Sequence, residues 1–185
     1  MKPWNARPEM EPPPGISENR MIQTRQVVLT GLFAALAVLL SGIHFPVGPT
    51  KVFPFQHMVN AVAGVLIGPW YGALAALIAG LIRNAIGTGT LFAFPGGIPG
   101  AIVVGLAYRW AKRDWASLTE PLGTGGIGVG VIVLLLGPLM GKEYAFLLFF
   151  TAFMASSIPG AVIGYILLKT LRKTKILEHR QIPGP

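Results

Sequence analysis

Between Arg25 and Lys169 the chain carries six apolar segments, and none of them contains an Asp or a Glu. They run roughly Arg25–Ile43, His57–Gly68, Trp70–Ile86, Leu91–Trp110, Gly123–Met140 and Tyr144–Lys169. A stretch of roughly 20 mostly apolar residues is what crossing the hydrocarbon layer requires. Only 12% of the residues are charged, where a soluble domain carries about a quarter. The chain is read as an integral membrane protein. No water in the hydrocarbon satisfies backbone groups there, so the spans are helices or a closed barrel. The apolar runs are continuous rather than alternating with period two, which favours helices. The expected fold is an all-α bundle of six transmembrane helices.

The separation of the second and third segments rests on charge. Only "GPWYG" (Gly68–Gly72) lies between them. With six spans and a cytoplasmic N-terminus, the inside receives Lys2, Arg7, Arg20, Arg25, Arg109, Lys112, Arg113, Lys169, Arg172, Lys173, Lys175 and Arg180. These are 12 of the 15 basic residues, and the outside keeps Lys51, Arg83 and Lys142. Fusing the two segments sends the Arg109–Arg113 cluster to the other side, against the inside preference of basic loops. Both termini are therefore expected in the cytoplasm. The net charge of +8 is explained by these segment ends and implies no nucleic acid.

The organisation expected along the chain has three parts. Residues 1–22 form a Pro-rich disordered cytoplasmic tail with no signal-peptide pattern. Residues 23–173 form the transmembrane domain, and residues 174–185 a basic cytoplasmic tail. Several spans are short or interrupted. The fourth carries Pro95, Gly96, Gly97 and Pro99, the sixth carries Pro159-Gly160, and both contain "IPGA", at Ile98–Ala101 and Ile158–Ala161. A helical proline frees the carbonyl four residues back, for which Ser156 and Ser157 are candidate partners. The repeated phrase is either a helix-bending device used twice or a pair of bends opening an outer pocket, as interrupted helices do in transporters.

The polar residues collect towards the outer half. Gln56, His57 and Asn60 open the second span, with Gln56 and Asn60 on one face at i,i+4. Arg83, Asn84, Thr88 and Thr90 lie between the third and fourth spans. Lys142 and Glu143 lie between the fifth and sixth, with Ser156 and Ser157 deeper. Phe55, Phe92 and Phe94, with Phe53, offer rings to a flat heteroaromatic body, or pack and face lipid. Arg83 either faces a ligand or snorkels to the interface. No P-loop signature occurs, so the chain does not hydrolyse ATP through one. "GTGGIGVG" (Gly123–Gly130) follows no strand and suits close helix packing instead. The spans as drawn hold no carboxylate, hence no proton or sodium relay. No catalytic set or zinc spacing appears, and with no cysteine there is no thiolate chemistry. The chain is not expected to be an enzyme or to need a cofactor or metal. It either facilitates passage alone or draws its power from another subunit.

Two long motifs carry a resemblance: "FPFQHMVNAVAGVLIGPWYGALAA" (Phe53–Ala76) and "RNAIGTGTLFAFPGGIPGA" (Arg83–Ala101). On these, and over roughly Arg25 to Lys173, the chain resembles the substrate-binding S components of energy-coupling factor (ECF) vitamin transporters, and specifically the ThiW family. The resemblance implies a six-helix, multi-pass protein of a prokaryotic cell membrane that captures the thiazole precursor of thiamine, hydroxyethylthiazole or a close relative, from outside. It implies a partner ECF module, made of a transmembrane coupling subunit and two ATPases, with lipid around both. In such proteins an alanine-rich face of the first helix docks on the module. Here Ala34 is followed four on by Val38, whereas Gly31 and Ala35 make the better small pair. The resemblance also implies toppling of the whole subunit in the membrane, with the Pro-rich loop His44–Phe55 as a semi-rigid lid. The residues expected at the ligand are Phe55, Gln56, His57, Asn60, Arg83, Asn84, Thr88, Thr90, Phe92, Phe94, Glu143, Ser156 and Ser157. A self-sufficient facilitator or secondary transporter is the alternative.

Overall fold

A computed structural model describes residues 16–47, 50–141, 143 and 145–174. Its elements are α1 (Ile16–Leu40), a short antiparallel hairpin of β1 (Phe45–Val47) and β2 (Thr50–Val52), α2 (Pro54–Ala85), α3 (Ala93–Ala111), α4 (Asp114–Leu139) and α5 (Phe146–Lys173). Among the described residues, α1 from Arg20, α2, α4 and α5 are long and apolar enough to cross a membrane. The all-helical bundle expected from the apolar runs is what forms.

The boundaries differ from the expected ones in informative ways. Helix α1 begins at Ile16, inside the stretch expected to be tail, because Ile16–Arg20 contains no residue that breaks a helix. The remainder of that tail, residues 1–15, lies outside the described residues, as does the basic tail beyond Thr174. The loop expected as a lid pairs Phe45 with Val52, Pro46 with Lys51 and Val47 with Thr50. Its three prolines and the β-branched residues among them favour extended backbone.

Helix α2 is bent back on itself at "IGPW". Gly68 holds φ 82°, ψ 178°, a left-handed conformation that glycine adopts without steric cost. Pro69 further disfavours a helical residue before it. The Arg83 guanidinium donates to Gln56 Oε1. In an unbroken helix those residues would stand about 40 Å apart at 1.5 Å per residue. A Cβ on Gly72 would lie 3.3 Å from Gly64 N, so the two halves lie side by side for most of their length.

Helix α3 packs along this hairpin. Val104 and the Ala101 carbonyl fill the place where Gly64 lacks a side chain, and Pro69 presses on Gly105. Phe33, Ala34 and Ala37 of α1 close the other side against Val59, Val62 and Ala79 of α2, with Leu168 of α5. Across α4, a 3-10 segment (Asp114–Thr119) leads into two π-helical stretches, Leu122–Gly128 and Ile132–Leu136. Its glycines pack closely on α3, with Gly123 against Pro99 and Gly128 against Pro95.

Candidate functional site

The site begins with what α3 lacks. Its glycines leave backbone bare on successive faces, and polar side chains from neighbouring helices press into the gaps. A Cβ on Gly97 would lie 3.2 Å from Asn60 Nδ2 and 3.7 Å from Gln56 Nε2. A Cβ on Gly100 would collide with Glu120 Oε1 and lie 2.6 Å from Thr124 Oγ1. These contacts define a buried polar seam between α2, α3, α4 and α5.

At its centre His57 Nδ1 donates to Glu120 Oε1 over 2.8 Å, with Glu120 wholly buried. The Thr124 hydroxyl lies 2.7 Å from the same carboxylate oxygen and 2.6 Å from the Gly96 carbonyl. The two "IPGA" phrases flank this pair. Gly100 lies against Glu120, and a Cβ on Gly160 would meet His57 Cβ at 2.7 Å. The repeated glycines therefore let two helices close on one hydrogen-bonded pair, and no opened pocket is needed to explain them. Gly160 is central in α5, with 14 residues of the helix before it and 13 after, so the pair meets α5 at its middle, while His57 stands in the first turn of α2.

This overturns the expectation that the spans hold no carboxylate. The fifth apolar run begins at Gly123, but the helical path starts at Asp114 and carries Glu120 inside. The polar stretch "DWASLTEP" reads as a loop, and the partner that makes Glu120 tolerable is 63 residues distant. The usable signal was Glu120 and Thr124 at i,i+4, immediately before a Gly-rich span. Buried ionisable residues in a membrane are costly and commonly functional.

A second cluster lies beside the first. Arg83, at the end of the returning half of α2, donates to Gln56 Oε1 and, at 3.3 Å, to the Thr88 carbonyl, with its guanidinium 4.7 Å from the Phe53 ring centre. Gln56, His57, Asn60 and Arg83 are all buried, as are Ser156 and Ser157. Arg83 is therefore not a snorkelling residue. Ser156 accepts the Phe53 N–H (3.1 Å) and donates to the Ala152 carbonyl. The carbonyl that Pro159 frees is that of Ala155, so Ser156 is not the partner expected for it. Six buried polar atoms have no partner among the described residues: Arg25 Nε and Gln26 Oε1 on α1, and, in and beside the seam, Asn60 Nδ2, Arg83 Nε, Glu120 Oε2 and Ser157 Oγ.

Other expected site residues sit elsewhere. Asn84 Nδ2 donates to the Gly80 and Thr90 carbonyls, fastening the loop after α2. Thr88, Thr90 and Glu143 are exposed. Phe55 is half-buried, Phe94 packs on Gly80, and Phe92 lies 4.8 Å from Phe149 ring to ring. Lys142 lies outside the described residues. On α1, Ala34 is buried and Val38 packs on the core, while Gly31 and Ala35 are exposed with open space beside Gly31. Ala34 is thus unavailable as a docking residue. A depression of about 460 Å³ on the first turns of α1, lined by Arg20, Met21, Thr24, Arg25, Val28 and Leu29, includes none of the expected ligand residues.

A solved structure of ThiT from Listeria monocytogenes superposes with a TM-score of 0.59 at 19% identity, covering 84% of this chain and 96% of that one. The chain is 31% identical over 181 residues to the biotin transporter BioY of Rhodobacter capsulatus, covering 84% of this chain and 95% of the relative. It is 28% identical over 169 residues to a UPF0397 protein of Streptococcus sanguinis, covering 82% and 92%. Apolar helices around a polar seam, on this fold and with these relatives, define a transporter protein of the S-component class rather than an enzyme. Residues 27–174 match the family model described as thiamine-precursor transporter protein (ThiW), and the chain belongs to that family.

Proposed function

We propose that this chain is the substrate-capture subunit of an ATP-driven ECF-type importer, multi-pass in the cell membrane, binding hydroxyethylthiazole or a close thiamine precursor from outside. In this reading it crosses the membrane six times with both termini in the cytoplasm, and Gly31 and Ala35 of α1 meet a module of coupling subunit and two ATPases. The observation that carries the capture role is the buried seam with unmet hydrogen bonds. Asn60 supplies a free donor and Glu120 a free acceptor in an apolar bundle, and buried polar atoms without partners are costly unless a ligand engages them. A ring nitrogen and a hydroxyl on one small body complement that pair, with Gln56, His57 and Ser157 beside it. Binding of the purified chain to hydroxyethylthiazole, a pyrimidine alcohol and intact thiamine tests this. Selective binding of the thiazole is expected, and equal or absent binding of all three refutes it.

One observation favours the runner-up, a secondary transporter. The His57–Glu120 pair is a membrane-embedded carboxylate of the kind that proton-coupled carriers use. Concentrative uptake by the chain alone, collapsed by a protonophore, is the result that selects this alternative.

A further inference from the structure

Arg83 is the only buried Lys or Arg among the described residues, at 3% exposure. A guanidinium stays protonated in proteins, and moving an unpaired charge out of water costs several kcal/mol. Something must offset that charge, yet its described partners are all neutral: the Gln56 amide oxygen, the Thr88 carbonyl and the Phe53 ring. Its Nε has none. None of the ion pairs among the described residues includes Arg83, and three of the described acids are engaged elsewhere or face out. Glu120 is held by His57 and Thr124, Asp114 by Arg172 at the far end of α5, and Glu143 is exposed.

The surroundings hold Arg83 in place. The Thr88 and Gly89 N–H groups both donate to its carbonyl, at 2.9 and 2.8 Å. Asn84 clamps Gly80 to Thr90, and Phe53, which the guanidinium covers, is itself tied to Ser156. A fixed guanidinium with unused donors is prepared for bidentate binding of a carboxylate or phosphate. Through Gln56 it joins the seam at Gly97, beside Asn60.

We infer that Arg83 receives an anionic group, a phosphate monoester or a carboxylate, at one end of the captured heteroaromatic molecule. This rests on the capture reading above and names the charge of its substrate. The neutral alcohol then occupies the seam without using Arg83, and the anionic derivative is the better ligand.

The test uses the full chain in phosphatidylcholine nanodiscs, with hydroxyethylthiazole, its phosphate monoester and a thiazole carboxylate as titrants. At least one anion is expected to bind about 10-fold or more tighter than the alcohol, the scale of a charged hydrogen bond. Arg83→Gln removes that preference, bringing the ratio of anion to alcohol affinity to about 1, and Arg83→Lys retains part of it. Should the Gln variant not fold, the wild-type preference and the Lys variant decide alone. Alcohol binding equal to or tighter than both anions overturns the inference but leaves the capture reading standing. Binding of none of the three overturns both. Repeating the titration with phosphatidylglycerol separates a lipid phosphate from a free ligand: loss of the anion preference there assigns Arg83 to lipid and overturns the inference.

Discussion

Replacing Glu120 tests the centre of the seam most severely. The carboxylate is wholly buried, accepts from His57 Nδ1 at 2.8 Å and lies 2.7 Å from the Thr124 hydroxyl. Removing one member of a buried pair strands the other and costs about 3–5 kcal/mol. Glu120→Ala and His57→Ala are each expected to lose stability on that scale in unfolding titrations in mixed micelles. The double variant strands neither partner, so its loss falls short of the sum by about 2 kcal/mol. An ordinary interhelical hydrogen bond in a membrane couples by only about 0.6 kcal/mol, which sets the threshold for deciding. Coupling at or below that value, or single losses under about 1 kcal/mol, refutes the claim that these residues form a paired unit.

Other perturbations follow from single contacts. Gly100→Ala sets a methyl against Glu120 and Thr124 and should lower stability by about 1–3 kcal/mol, whereas Gly31→Ala, with open space around it, should leave the melting midpoint unchanged or slightly raised. Asn60→Ala should weaken binding of the thiazole about 10-fold, measured by calorimetry, while Asn84→Ala, which frees a loop, should mainly reduce thermal stability; the reverse pattern contradicts the assignment of Asn60 to the ligand. Gly31→Leu should abolish co-purification with the ATPase module and leave ligand affinity intact, and persistence of the complex would remove that face of α1 from the docking surface.

How much of this was legible in the sequence depends on whether a residue's fate is decided by its neighbours in the chain or across the fold. The helical spans are local and hydropathy reads them directly, while the reversal at Gly68-Pro69 is read from where the basic residues fall along the chain. The burial of Asn60 was partly readable, because an amide inside a span must find a partner, whereas that of Arg83 was not, since a guanidinium near a span end reads equally as a snorkelling residue. Nor was that of Glu120. Its stretch is polar by composition, and only the approach of His57 from α2 and the bare backbone at Gly100 turn it inward. The exposure of Thr88, Thr90 and Glu143 was not legible for the converse reason, since polarity alone does not distinguish a loop facing water from one facing a ligand. The β-hairpin at Phe45–Val52 likewise depends on pairing between residues whose separate preferences are only for extended backbone.

The central claim is that this ThiW-family chain captures a thiazole precursor outside the cell and depends on a separate ATPase module to import it. Uptake of labelled hydroxyethylthiazole by cells expressing the chain with and without that module measures this directly. The account predicts accumulation only when both are present, with surface binding but no accumulation by the chain alone. Concentrative uptake by the chain in cells lacking the module would contradict it.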